Sequence, residues 1–135
     1  LGPAVMAAVE MESLARGQNG KGKIVVLDDY FNREVRADGT VWHYKWEEKN
    51  HGGFYALGEQ FKSFGATLDT LSSAPTATNL KNASIYIIVD PDTEKETPKP
   101  NFISQTDAKN ITDWVKAGGV LVMLGNDFGN AEFDN

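Results

Sequence analysis

Ile24-Val25-Val26-Leu27 runs straight into Asp28-Asp29, and Ile85-Tyr86-Ile87-Ile88-Val89 runs straight into Asp90-Pro91-Asp92. A third apolar run, Val120-Leu121-Val122-Met123-Leu124, leads through Gly125-Asn126 to Asp127. All three read as strands, and the first, over about 23–29, is a continuous apolar run that reads as buried on both faces, the pattern of a parallel sheet covered by helices. In an open α/β sheet, ligands bind in the crevice beyond the carboxyl ends of the strands. With the three runs parallel and adjacent, one sheet edge would collect Asp28, Asp29, Asp90, Asp92 and Asp127. That edge is where a site is expected.

The intervening segments fit such a sheet. Phe54, Leu57, Phe61 and Phe64 recur at helical spacing over 54–64, and Gly65 supplies the stop. Thr67 to Leu71 reads as a weak strand, and 72–83 as loop or turn. An acidic, proline-bearing loop runs from Asp90 to Phe102. Ser104-Gln105-Thr106-Asp107 has the form of a capping box with Asp in place of Glu, opening a helix whose core face is Ala108, Ile111, Trp114 and Val115 and which Gly118-Gly119 ends. The order β-α-β-turn-β-α-β predicts a Rossmann-like or flavodoxin-like parallel sheet over 23–135. Residues 1–16 read as a helix with Val5, Met6, Val9 and Leu14 on one side, and 17–22 as a glycine-rich linker. A doubly wound sheet wants a helix over its last strand. Phe128 and Phe133 read as the start of one, so the domain is expected to be incomplete at its C-terminus.

Composition narrows the function classes. The 135 residues are 41% hydrophobic and 24% charged, as in an ordinary single globular domain. A net charge of −6 repels phosphate backbones, so no nucleic-acid partner is expected. The absence of cysteine removes disulfides, thiol nucleophiles and cysteine-ligated zinc. No apolar stretch approaches the roughly 20 residues a membrane span needs. The first residues lack the basic region of a signal peptide.

Most motif-like stretches lack their context. Gly17-Gln18-Asn19-Gly20-Lys21-Gly22-Lys23 approaches a phosphate-binding loop, but Ile24 stands where Ser or Thr would hold magnesium, and a strand follows instead of a helix. Asp127-Phe128-Gly129 copies a kinase tripeptide with none of its companions. Asp28-Asp29 with Asp90 is arranged like the acids of a phospho-receiver, but no helix follows promptly and no strand-end Thr and Lys pair is visible, which leaves a fold-level analogy. Asp90-Pro91-Asp92-Thr93-Glu94 alternates acids as calcium loops do, yet lacks their glycine; the plain reading has Asp90 capping the loop and the rest solvated.

Val41 to Glu47 alternates as a strand would, with Trp42, Tyr44 and Trp46 on one face and His43, Lys45 and Glu47 on the other. Trp42 and Trp46 are candidates to stack on a sugar ring. The plainer reading is an arm packed on its own domain or the neighbouring one. His43 and His51 have no evident third ligand, so no metal site is expected there. No Gly-x-Ser-x-Gly elbow and no Ser/His/Asp set can be assembled. Paired carboxylates could serve glycoside hydrolysis, but no sugar-binding barrel accompanies them.

Four stretches together carry a resemblance: Val26-Leu27-Asp28-Asp29-Tyr30-Phe31-Asn32; Trp42-His43-Tyr44-Lys45-Trp46-Glu47-Glu48; Tyr86 through Asp90-Pro91-Asp92-Thr93-Glu94-Lys95-Glu96-Thr97; and Asp113-Trp114-Val115-Lys116-Ala117-Gly118-Gly119-Val120-Leu121-Val122. They resemble the C-terminal extension of Bacteroidetes-type glycoside hydrolases of families 88 and 105, the unsaturated rhamnogalacturonyl or glucuronyl hydrolases. Leu1 to Met11 looks like the closing helix of their (α/α)6 barrel, and the extension is similar to the class I glutamine amidotransferase-like fold. The resemblance implies a parent enzyme that removes a 4,5-unsaturated uronic acid by hydration of its double bond, with the catalytic carboxylates in the barrel. No catalytic residue therefore transfers to this chain. The amidotransferase cysteine would follow the third strand, where Asp90-Pro91 stands, so glutaminase chemistry is excluded.

The expectation is thus a non-catalytic accessory domain with no cofactor and no metal. Its partners would be the preceding (α/α)6 barrel and an oligosaccharide, in a bacterial periplasm or at the cell surface. Asp28, Asp29, Asp90, Asp92, Asp127, Trp42 and Trp46 are the candidate ligand-binding residues. The alternative is a small-ligand or divalent-metal site on the acidic strand ends.

Overall fold

The computed structural model describes residues 19–50 and 52–125. Six elements follow in order: β1 (Ile24–Asp28), α1 (Tyr55–Ser63), β2 (Thr67–Leu71), β3 (Ile85–Val89), α2 (Gln105–Lys116) and β4 (Val120–Leu124). The strands form one sheet in the order β2-β1-β3-β4, and every pairing is parallel. This is the α/β, Rossmann- or flavodoxin-like sheet that the apolar runs predict. The chain steps outward from β1 to β2, then crosses back to lay β3 on the other side of β1. The topological switch point therefore falls between β1 and β3, where Val25 pairs with Ile85 and Leu27 with Ile87.

Successive strand residues point to opposite faces, and β1 and β3 bury both. Val26, Tyr86 and Ile88 pack with Phe31, Leu71, Leu80 and Ile111 on one face. Val25, Leu27, Ile87 and Val89 pack with Tyr44 and Trp46 on the other. α2 covers the first face through Ile111 and Trp114, and α1 the second through Phe61. Val120, Met123 and Leu124 on β4 are exposed among the described residues. No helix among those residues is long and apolar enough to cross a membrane. The expected helix over 1–16, His51, Asp127 and the Phe128 and Phe133 segment lie outside the described residues.

Both helices bury a stripe set slightly off the expected one. In α2 the capping box forms with Asp: Ser104 Oγ accepts the Asp107 N–H at 3.1 Å, and Asp107 Oδ2 accepts the Ser104 N–H at 2.9 Å. That tie turns Asp107 inward, so the stripe runs Asp107, Ile111, Trp114. Ala108 and Val115, about 100° further round, are exposed, contrary to the sequence reading. In α1 the stripe is Phe54, Gly58, Phe61, and Leu57 is exposed. Gly58 holds the central place because a Cβ there would stand 2.8 Å from Leu68 Cδ1 and 3.0 Å from Trp46 Cε3.

Gly119 is held by a similar close approach, since a Cβ there would overlap the Trp114 ring. Gly119→Ala is expected to displace that ring and strain its Nε1–H bond to the Ala83 carbonyl, 3.3 Å long. The expected loss is about 1–3 kcal/mol, the usual cost of overpacking. A urea midpoint that falls at constant m-value checks this, and an unchanged midpoint would show that the ring moves freely.

The segment 41–47 is not the strand its alternation predicts. Val35 and Val41 form an isolated antiparallel bridge, closed by a tight turn in which the Gly39 N–H donates to the Arg36 carbonyl at 2.8 Å. Extension ends at His43 and Tyr44, whose φ angles are 73° and 50°. The Glu48 carboxylate holds this kink by accepting the N–H groups of His43 and Lys45, both at 3.2 Å. Tyr44 and Trp46 consequently turn into the core, while Trp42 stays outside it beneath the Arg36 guanidinium, 4.5 Å from its ring centroid.

Candidate functional site

The sheet order brings the β1 and β3 strand ends side by side, and with them Asp28, Asp29, Asp90 and Asp92. The four differ in what surrounds them. Asp28 is buried, and its Oδ2 accepts the N–H groups of Tyr30 (3.2 Å), Phe31 (2.8 Å) and Asn32 (3.2 Å). Its Oδ1 accepts the Tyr86 hydroxyl at 2.6 Å. The chain leaving β1 thus winds around a carboxylate instead of opening a helix, and drops the fully buried Phe31 into the core. Burial pushes the Asp28 carboxyl up to about 6, although its hydrogen bonds pull the other way. Burial, and then the Asp28 charge, push the Tyr86 hydroxyl far up, so it remains a neutral donor.

Asp29 is an ion-pair hub. Its Oδ1 pairs with Lys45 Nζ, and its Oδ2 takes Arg33 Nη1 at 3.3 Å and the Ser72 hydroxyl at 2.9 Å. It fastens the loop after β1 to the segment after β2.

Asp90 leaves β3 with a φ of 44°, a conformation that costs a non-glycine residue roughly 1–3 kcal/mol. Its Oδ2 accepts the Tyr44 hydroxyl at 2.9 Å, and its carbonyl accepts Asn32 Nδ2 at 2.6 Å. Asp92 is 1% exposed. Its N–H donates to the Phe31 carbonyl at 2.9 Å, and its Oδ2 accepts the Arg33 N–H at 3.0 Å and the Thr97 hydroxyl at 2.5 Å. Its Oδ1 has no hydrogen-bond partner. Burial raises the Asp92 carboxyl, and the Asp90 charge adds to this.

The plain reading of this loop, with the residues after Asp90 solvated, therefore needs correction. Asp92 and Thr93 are buried because the loop folds down over the β1–β3 seam, and exposure begins at Glu94.

Two further acids join the edge that the strand ends alone did not reveal. Burial raises the carboxyls of Glu34 and Glu96. The charges of Asp90 and Asp92 bear on both, while His43 opposes them at Glu34, its Nδ1 lying 3.3 Å from Glu34 Oε1. Glu96 had a visible signal, since Thr93-Glu94-Lys95-Glu96 has capping-box spacing, and Glu96 Oε2 accepts the Thr93 N–H at 3.4 Å. Glu34 had none, because its place depends on a hairpin the sequence does not announce.

The aromatic candidates separate. Trp46 is buried, with its Nε1–H donating to the Asp69 carbonyl at 2.8 Å and its ring against Phe54. Trp42 is half-buried between Arg36 and the His43 ring. They do not form one platform. Two shallow hollows, one along Trp46, Tyr55 and Leu68 and the other along Ile85, Trp114 and Val120, contain none of the strand-end acids. Among the described residues, no group of three or more His, Asp or Glu side chains is disposed to hold a metal ion.

Chemically, the edge offers carboxylates held by tyrosines, amides and cations, and among the described residues no hydroxyl nucleophile is set against a base. Set against protein-family models, curated proteins and solved structures, the chain matches none of them.

Proposed function

We propose that this chain is a non-catalytic accessory α/β domain of a polysaccharide-degrading hydrolase that removes unsaturated uronic acids from pectin-type oligosaccharides. The observation that carries the non-catalytic part is the inward engagement of the strand-end acids. Asp28 is wrapped by three amides and Tyr86, Asp29 is paired with Lys45 and Arg33, and Asp90 receives Tyr44. A general acid or base must reach a proton on the substrate, and these groups reach their own fold instead. The place after β3 that holds a nucleophile in amidotransferases holds Asp90 here. The parent activity rests on the four stretches that resemble the extension of unsaturated rhamnogalacturonyl hydrolases. In this reading the preceding (α/α)6 barrel carries the chemistry, and this domain packs against it beside the sugar cleft in the periplasm or at the cell surface.

Two measurements test the proposal. The isolated chain, incubated with an unsaturated uronyl disaccharide, is expected to leave the alkene absorbance unchanged, and any turnover overturns the non-catalytic reading. The reading frame upstream of Leu1 is expected to encode the helical hairpins of an (α/α)6 barrel, and a different domain there overturns the parent assignment.

A further inference from the structure

The hollow along Ile85, Trp114 and Val120 has a volume of about 430 Å³, inside the roughly 300–1,000 Å³ range of small-ligand sites. It lies at the end of the sheet opposite the acidic strand ends, because Lys23, Ser84 and Gly119 immediately precede β1, β3 and β4. Two lysines, Lys23 and Lys81, line it, and no acid does. On a chain of net charge −6 that is a local inversion of sign. Neither lysine enters an ion pair among the described residues. Ser84 adds a hydroxyl: its Oγ accepts the Ile24 N–H at 3.4 Å, and its proton goes to no described acceptor. The end of α2 contributes groups of the opposite character. The N–H groups of Ala117, Gly118 and Gly119 turn back onto the last turn of the helix, whereas the carbonyls of Ala117 and Gly118 accept no N–H among the described residues. These are the orphan acceptors of a helix C-terminus.

We propose that this hollow binds a uronic acid, with Lys23 and Lys81 on its carboxylate and the carbonyls of Ala117 and Gly118 taking its hydroxyl protons. Two ammonium groups without a counter-charge, each with donors and no acceptor, select an anion. A phosphate has no hydrogen to give the helix carbonyls, and their partial negative charge opposes a compact dianion. A ligand that carries both a carboxylate and hydroxyl donors meets both kinds of partner, and its C–H surface suits Ile85 and Val120. An acidic peptide offers N–H groups in place of hydroxyls, but extended peptides pair along a sheet edge, and this hollow sits across strand starts. The selection of an anion stands on the hollow alone. The choice of a sugar acid rests on the accessory reading above, whose tests of turnover and upstream sequence do not read this hollow, so each can fail without the other.

The test is an amide-resolved NMR titration of the whole chain near neutral pH at constant ionic strength. The probes are digalacturonate, its neutral dimethyl ester, propionate, inorganic phosphate and an acetylated, amidated Gly-Glu-Gly peptide. Digalacturonate is expected to give saturable shifts at the amides of Ser84 and Gly119 and at the Trp114 indole N–H, which donates to the Ala83 carbonyl beside them. The ester keeps the hydroxyls without the charge and is expected to give none. Propionate keeps the charge without the hydroxyls and is expected to bind about tenfold more weakly, the worth of one or two hydrogen bonds. The double variant Lys23→Gln/Lys81→Gln is expected to lower digalacturonate affinity by about tenfold or more, as loss of charge-assisted bonds does. Both side chains are exposed, so the rest of its amide spectrum should be unchanged. The charge-conserving Lys23→Arg/Lys81→Arg variant is expected to keep most of the affinity.

Phosphate or propionate binding as tightly as digalacturonate would reduce the hollow to a general anion site and overturn the sugar-acid assignment. Tighter binding of the peptide would overturn it in favour of an acidic protein segment. Shifts that do not saturate, saturation by the ester, or unchanged affinity in the glutamine double variant would overturn the site itself.

Discussion

Asp28→Ala is expected to cost roughly 3–5 kcal/mol, because it leaves several buried donors without an acceptor. The substitution removes the acceptor of the Tyr86 hydroxyl and of the amides of Tyr30, Phe31 and Asn32 at once. Tyr86 is fully buried and Asn32 nearly so, and each unsatisfied buried donor costs about 1–3 kcal/mol. A domain of this size is typically stable by about 5–15 kcal/mol, so the variant should be marginal or unfolded. Asp28→Asn keeps the shape and one acceptor oxygen, and about 1–2 kcal/mol of loss is expected from the poorer bond to Tyr86. Urea denaturation followed by circular dichroism reads both. Tyr86→Phe combined with Asp28→Asn should lose less than the sum of the single losses, because the two groups share one bond. A loss below about 1 kcal/mol for Asp28→Ala would show that water replaces the carboxylate, and the structural role assigned to it would fail.

The sheet was legible because three of its four strands, β1, β3 and β4, are continuous apolar runs. The readings Thr67 to Leu71 and 120–124 match β2 and β4 residue for residue, and the burial of β1 and β3 on both faces goes with the parallel arrangement. The order β2-β1-β3-β4 puts the two acidic strand ends together, as a switch point requires.

What failed was local geometry set by contacts distant in sequence. Trp42, Tyr44 and Trp46 alternate like a strand, but a loop that anchors two aromatics in a core gives the same alternation. The kink depends on Glu48 capping two amides, and nothing in the aromatic pattern announces it. The helix stripes are displaced by one position because Gly58 and Asp107 take central places that hydrophobicity would give to Leu57 and Ala108. At the site, the sequence offered Asp90 and Asp92 as acids. It could not say that one faces Tyr44, or that the other keeps a buried oxygen unpaired.

The melting temperature is expected to rise as pH falls from 8 to 5, against the usual tendency of acid to destabilise. The cause is the direction of the carboxyl shifts. A carboxyl with a raised folded pKa binds its proton more tightly in the native state, so its stabilising effect is full below the unfolded value and is lost as pH rises through the folded one. For Asp28 the window runs from 3.8 to about 6. The integrated linkage between pH 8 and pH 5 then amounts to about 1.4 kcal/mol in favour of the acid side. For a domain of this length that is a rise of roughly 5 °C. Glu34, Asp92 and Glu96 are raised by burial and by one another's charge, and act in the same direction. The net charge of −6 also shrinks on acidification, relieving self-repulsion. Asp28→Asn has no proton to gain, so it should flatten the profile by about the Asp28 share and leave the slope of the other three acids. Calorimetric scans of both proteins at half-unit pH intervals decide the matter. A wild-type melting temperature that falls between pH 8 and pH 5, or an Asp28→Asn profile as steep as the wild type, would mean that the carboxylate between β1 and β3 titrates as if it were in water.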